Sequence, residues 1–443
     1  MMLLWALLLT NVGLAVGVVV WRVRRRGGVT FGHVELFSFG FLYYWMLPAA
    51  AALLPPVDDS PAVRYWYDLA TSVVRGAMPA FLALTLAFYA AFVGGSTAAR
   101  RAGRPDARRA PPFAADVRLL DLILLPCAAV GAVMAFRLRG SFFSSYSQIF
   151  DTEGPARGPF LAFSVFVLSL ALLYTSGRAR TRPPGVSPWA VLQNRWAMLY
   201  LVAGLAVVAL GGRMYLVTGL LSLASYASVY HRPFAVKTAA TLAAGGAALA
   251  GLVGVIRFGL AGAQISPATI AASVALEPVF TSFSLLDFLR QGRLEWLNVP
   301  ASLATQFLNF VPTFLLPDKV KYMIGPEDLG YSVRAPLGAL SAFVSLMVNF
   351  GALGSVAVLF AFGFYLERLR RRASAFAACA YCMISGFLAF SLFRDPFYTS
   401  VVKSVLQLSL LTPALTVGVL HVLTVIARPA LVRGPAAPAR AGA

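Results

Sequence analysis

Charge is scarce in this 443-residue chain: Asp, Glu, Lys and Arg together make up 12% of it, about half the share in a typical soluble domain. That deficit, with 59% hydrophobic residues and a mean hydropathy of +0.76, excludes a soluble globular fold and implies a polytopic helical membrane protein. Histidine is rarer still. His33, His231 and His421 map to or near one side of the membrane and cluster with no Cys or carboxylate, so converging metal ligands are not expected. Three cysteines are too few for a disulfide framework: Cys127 stands alone, and the C-x-x-C of Cys379 and Cys382 lies in an apolar run, as small packing residues do. There is no glycine-rich nucleotide motif, which argues against ATP-driven chemistry, and no cofactor is expected. Internal repeats, inverted or parallel, are absent too, and this weakens a secondary-transporter reading.

What the chain has is a basic excess, 37 Lys and Arg against 17 Asp and Glu. In a soluble protein +20 would suggest nucleic acid. Here the basic runs are short and lie between hydrophobic segments, so they read as cytoplasmic loops facing anionic lipid, with no nucleic-acid partner. Apolar runs of about 20 residues place eleven spans near 2–21, 31–54, 72–97, 119–137, 159–177, 194–211, 213–230, 238–257, 337–365, 373–393 and 401–427. The first lacks a basic leader and is followed by Arg22, Arg24, Arg25 and Arg26, so it reads as an anchor with its N-terminus outside. On this topology the cytoplasmic side holds 23 basic and 5 acidic residues, and the outer side 14 and 12. Glu35 and Asp121, near the cytoplasmic ends of their spans, are expected to reach water.

The expected organisation is an all-α bundle of eight spans over 1–257, an outer cap over 258–336, three further spans over 337–427 and a basic cytoplasmic tail over 428–443. The cap alternates apolar stretches, Ile265 to Leu286 and Trp296 to Leu316, with Pro, Gly and charged residues, as short helices lying on the membrane surface would. Trp296 to Pro317 is long enough to span, but Asn298, Pro300, Gln306, Asn309 and Pro312 interrupt it.

Against this background four arginines stand out. Arg213, Arg257, Arg334 and Arg394 each fall at the outer end of a hydrophobic segment, where the positive-inside rule disfavours them. An arginine at a helix centre costs about 2.5–3.5 kcal/mol, less near the interface, so several on one face point to an anionic partner. Guanidinium binds phosphate oxygens bidentately. The alternative is that each snorkels to outer-leaflet phosphates.

Four segments of the second half carry a family resemblance: Gly211-Gly212-Arg213 opening a span, Asn309-Phe310-Val311-Pro312 through Leu316-Pro317-Asp318-Lys319 in the outer loop, Val348-Asn349-Phe350-Gly351-Ala352-Leu353-Gly354, and Phe393-Arg394-Asp395. In order and placement they resemble the Wzy-type O-antigen polymerases, also called oligosaccharide repeat unit polymerases, over about residues 195–410. The resemblance implies a metal-independent membrane glycosyltransferase, similar in fold to the O-antigen ligases and GT-C-like enzymes. It would act at the outer face of the bacterial cytoplasmic membrane. Donor and acceptor would be undecaprenyl-diphosphate-linked oligosaccharides, and a chain-length regulator is a possible partner. Arg213, Arg257, Arg334 and Arg394 would hold the diphosphate, on which negative charge develops as the anomeric C–O bond breaks.

A base for the acceptor hydroxyl is harder to name. The related ligases use a histidine in the outer loop, where this chain has none. Carboxylates there include Glu277, Asp287, Glu295 and Asp318; the favoured candidates are Asp395, beside Arg394, and Glu327 and Asp328, shortly before Arg334. Outer-loop aromatics such as Trp296, Tyr322 and Tyr331 fit an interfacial belt better than a sugar platform. Gly351 and Gly354 suggest close helix packing. Two rival functions stay open: a lipid-linked glycan ligase, and a polysaccharide or lipid transporter or flippase.

Overall fold

A computed structural model describes residues 2–54, 61–102, 117–142, 157–181, 188–245, 267–292, 294–311, 315–325, 327–331, 333 and 340–432. Among these the regular secondary structure is all helical, apart from one isolated antiparallel bridge between Val29 and Phe234. Seven helices are long and apolar enough to cross a membrane: Met2–Arg26, His33–Leu53, Gly76–Arg101, Leu119–Arg137, Gly158–Gly177, Ala342–Arg371 and Thr399–Ile426. This is a multi-pass membrane protein. Arg195–Ala209 and Ala375–Leu388 are apolar but shorter, and residues 246–257 of the expected eighth span lie outside the described residues.

The helices are named α1 (Met2–Arg26), α2 (His33–Leu53), α3 (Pro61–Arg101), α4 (Val117–Arg137), α5 (Arg157–Thr181), α6 (Arg195–Ala209), α7 (Arg213–Tyr226), α8 (Pro267–Arg290), α9 (Ala301–Gln306), α10 (Ala342–Arg371), α11 (Ala375–Leu388), α12 (Ser391–Arg394) and α13 (Thr412–Val432). π-Helical turns interrupt α2 at Leu42–Met46 and extend α7 at Ala227–His231, and a longer π-helix, Tyr398–Leu411, leads into α13.

Two compact units divide the chain. The first comprises Met1–Arg108, Val217–Arg372 and Tyr381–Gln407. Its centre is the packing of α3 against α10, which two glycines make close: a methyl on Gly95 would sit 1.9 Å from the Phe360 carbonyl oxygen, and one on Gly363 2.1 Å from that of Phe92. Aromatic rings fill the level above, with Trp45 of α2, Phe88 of α3, Phe343 of α10 and Phe393 at 4.4–5.5 Å from their neighbours. Most of α1 faces outward, tied to α3 by Asn11, which donates to the Leu82 carbonyl at 3.1 Å.

Helix α8 departs from the expected surface helix. From Thr281 to Phe288 every residue is buried, and α8 packs against α3, the π turn of α2, α10 and α12. The hydroxyls of Thr281, Ser282 and Ser284 bond back to carbonyls three residues earlier. With these three hydroxyls bonded internally on small side chains, a stretch that reads as amphipathic can be enclosed. Among the described residues of the Trp296–Leu316 stretch, by contrast, the helical elements are α9 and a 3-10 turn, Phe307–Phe310.

The second unit comprises Arg109–Leu216, Ala373–Ala380 and Leu408–Ala443. Asn194 caps α6, accepting from the Ala197 N–H and donating to Thr175 of α5, both at 2.9 Å. Leu138, Phe160, Val207 and Leu210 form its apolar core. Much of α4 is lipid-like on its outside, with Leu122 and Leu125 fully presented. Cys379 is buried against α5, its thiol directed at the Ser169 carbonyl.

Candidate functional site

The first unit contains a broken helix. Gly351 of α10 has φ 68° and ψ −174°, a region essentially reserved for glycine, and the backbone ladder parts there. Irregular backbone in a membrane protein must be satisfied by other protein groups, and the loop segment 295–302 does so. Ala352 and Leu353 donate their N–H groups to the carbonyls of Glu295 and Trp296 at 2.9 and 3.0 Å. Asn298 donates its side-chain amide to the Val348 carbonyl at 2.7 Å. Asn349 accepts from both the N–H and the hydroxyl of Ser302, at 3.2 and 2.8 Å, and donates to the Ser345 carbonyl at 2.7 Å. A methyl on Gly351 would lie 2.7 Å from the Leu297 nitrogen. The glycine therefore admits the loop backbone rather than a neighbouring helix. With twenty residues from Gly351 to Arg371, the break stands about 30 Å along the helix from its basic end, one hydrocarbon thickness away.

The loop segment beyond Ser302 is held in the same way. Thr305 accepts from the Ile324 N–H at 3.0 Å, and Lys319 reaches back to the Val311 carbonyl at 2.9 Å, so the two ends of the Asn309–Lys319 stretch meet. Further along the chain, the short helix α12 ends at Arg394, with Asp395 as its C-cap. Phe393 anchors that helix: it is fully buried, 5.4 Å from Phe343 of the broken helix and 5.0 Å from Trp45. Arg394 is half-buried. Asp395 accepts from the Ser391 hydroxyl and donates its N–H to the Ser391 carbonyl, both at 2.9 Å.

The other expected site residues fall differently. Glu327 and Asp328 lie on an exposed 3-10 turn, where Asp328 accepts from the Gly325 N–H at 2.7 Å. Arg213 is the first residue of α7, after a turn that needs its glycines: Gly211 has φ 86°, and a methyl on Gly212 would strike Val207 at 2.6 Å. The Arg213 side chain, and the whole of Arg257 and Arg334, lie outside the described residues. Asp287, expected among the outer-loop carboxylates, lies in α8, buried and paired with Arg290 at 3.0 Å.

At the opposite end of the first unit is a cluster that sequence reasoning missed. Glu35 does not reach water: it is buried, with Arg22 at 2.6 Å, Arg26 at 3.2 Å and the Thr30 hydroxyl at 2.9 Å. Glu367, fully buried, accepts from Arg370 at 2.8 and 3.1 Å, Arg371 at 3.2 Å and Arg100 at 3.4 Å. His33 bridges the two halves, with Nδ1 3.0 Å from the Tyr381 hydroxyl, Nε2 2.9 Å from Ser96 and Glu367 at 3.9 Å. Only the i, i+3 and i, i+4 pairing of Glu367 with Arg370 and Arg371 was visible as a spacing.

Compared with known protein families, curated proteins and solved structures, the chain matches none.

Proposed function

We propose that the chain polymerises lipid-linked oligosaccharide repeat units, acting as a metal-independent glycosyltransferase at the outer face of a bacterial cytoplasmic membrane. The reading includes eleven spans, an outer N-terminus, a cytoplasmic C-terminus and a GT-C-like bundle. The observation that carries it is the fastening of the Val348–Gly354 segment to the outer loop through Asn349 and Ser302. Three of the four segments on which the family resemblance rests belong to this one unit, on the broken helix, the loop that satisfies it and the turn after α11.

In this reading the donor's anomeric C–O bond breaks, the diphosphate leaves with the electron pair, and the acceptor oxygen bonds to the anomeric carbon. Arg394 stabilises the leaving diphosphate; the same role for Arg213, Arg257 and Arg334 rests on sequence position alone. The acceptor proton passes to a carboxylate, for which Asp395, Glu327 and Asp328 are the candidates. Asp395 stands beside the arginine on a turn fixed by Ser391, whereas Glu327 and Asp328 are solvent-facing. A ligase reading uses the same arginines and differs in the acceptor.

The test is polymer length in cells lacking the native enzyme, with each variant confirmed in the membrane fraction. Arg394→Lys is expected to impair polymerisation nearly as badly as Arg394→Ala, because lysine keeps the charge and loses the planar fork. Wild-type polymer from Arg394→Ala would remove the arginine from the reaction. For orientation, a cysteine placed at exposed Asp318 should react with an impermeant reagent from outside, and labelling only after the membrane is opened would overturn the topology.

A further inference from the structure

Among the described residues, the buried cluster at the basic end of the first unit holds more guanidinium groups than carboxylates. Arg22, Arg26, Arg100, Arg370 and Arg371 have side chains no more than 25% exposed, and Glu35 and Glu367 are their carboxylate partners. Five guanidinium groups against two carboxylates leave +3, taking His33 as neutral. Helices α1, α3 and α10 all end here, at Arg26, Arg101 and Arg371. Each helix C-terminus supplies about −0.5, so the three together offset about half of the excess. Counted over the described residues, about +1.5 remains in a region of low dielectric, where buried charge favours a counter-ion.

Hydrogen bonding points the same way. Glu367 is saturated by three arginines, and Arg100 holds it only through Nε at 3.4 Å. The Arg100 Nη2 is buried and has no hydrogen-bond partner, while Arg371 spends its own Nη2 on the Arg100 carbonyl at 3.1 Å. A guanidinium nitrogen left unbonded within a cationic cluster calls for an acceptor, and an anionic one. We propose that this end of the unit binds a phosphate group between Arg100, Arg26 and Arg371, the three arginines of the cluster that keep the most exposure. A phosphate carries the required charge, about −1 as a lipid diester and −1.5 to −2 as a monoester, and offers oxygens to several guanidinium forks at once. Basic pockets between membrane helices are where anionic headgroups dock. This site is separate from the proposed glycosyl-transfer site, with the membrane-spanning part of α10 between them.

The experiment uses the full chain in phosphatidylcholine nanodiscs, with dioleoyl phosphatidylglycerol or inorganic phosphate as the added probe and thermal melting and retained lipid mass as readouts. For a headgroup site, phosphatidylglycerol raises the melting temperature and stays bound, whereas inorganic phosphate does neither. For a soluble phosphate, the inorganic ion alone stabilises. In either case Arg100→Gln weakens the effective probe about tenfold or more, and Arg24→Gln, at an exposed arginine nearby, leaves it unchanged. With neither probe present, Arg100→Gln should melt no lower than the native chain, because it relieves like-charge crowding. Equal responses from Arg100→Gln and the native chain would overturn the proposal. If that variant does not accumulate, the native chain decides: no response to either probe refutes the site.

Discussion

Asn349 accepts two hydrogen bonds from Ser302, one from its backbone N–H and one from its hydroxyl, so a residue of the broken helix and a residue of α9 are held as one piece. Both are buried. Replacing Asn349 with Leu leaves the Ser302 donors without an acceptor, at about 1–3 kcal/mol for each buried group. The expected result is an outer loop that protease cleaves faster near 295–302 while the helices stay intact, together with shortened or absent polymer. Ser302→Ala should lose less, and the double variant little more than Asn349→Leu alone, as contacting residues do. Additive losses would mean that the pair does not act together.

The buried carboxylates make a different prediction. Glu367→Gln keeps the shape of the side chain and removes the counter-charge of Arg100, Arg370 and Arg371. Breaking one partner out of a buried ionic group costs about 3–5 kcal/mol. Purified protein should therefore melt much lower, and membrane yield should fall. Asp318→Asn provides the contrast, since its pairing with Lys321 at 3.2 Å is exposed on both sides and is worth under about 1 kcal/mol. Similar melting of the two variants would show that the Glu367 cluster is not a structural keystone.

Why Glu35 was misjudged explains what the sequence could and could not convey. Apolar runs of span length located all seven long helices, because hydrophobic length is a local property. Glu35 looked free to meet water because its burial depends on Arg22 and Arg26, which reach it from a separate helix. The same applies to α8: an apolar stretch set among Pro, Gly and charged residues reads as a surface helix, yet the bonds that satisfy Thr281, Ser282 and Ser284 are internal to the helix, and the enclosing walls come from α3 and α10. Gly351 could be seen as important but not as a break, since glycine in an apolar run does not declare its φ. Of the candidate site, Arg394 and Asp395 are adjacent in the sequence and stand at the end of α12. The anchoring of that helix by Phe393 in a ring cluster built from α2, α3 and α10 was invisible.

The broken helix gives the last prediction, in which two glycine substitutions should have opposite signs. At Gly351 an alanine meets a backbone conformation that costs about 1–3 kcal/mol for any residue with a Cβ. Its methyl would also stand 2.7 Å from the Leu297 nitrogen and 2.8 Å from the Glu295 carbonyl oxygen. Both of these are backbone, and neither can turn aside as a side chain would. Either the α10 break straightens or the 295–298 segment lifts away, and each outcome strands the carbonyls that now receive Ala352 and Leu353. At Gly418, inside α13, a methyl would meet nothing within 4 Å, so Gly418→Ala should be neutral or stabilising by up to about 1 kcal/mol through helix propensity. Thermal melting of the two purified variants, with protease sensitivity of the outer loop measured in parallel, tests the contrast. If Gly351→Ala melts like the native chain and its loop stays protected, then the break does not depend on glycine and the fastening of loop to helix is looser than these distances imply.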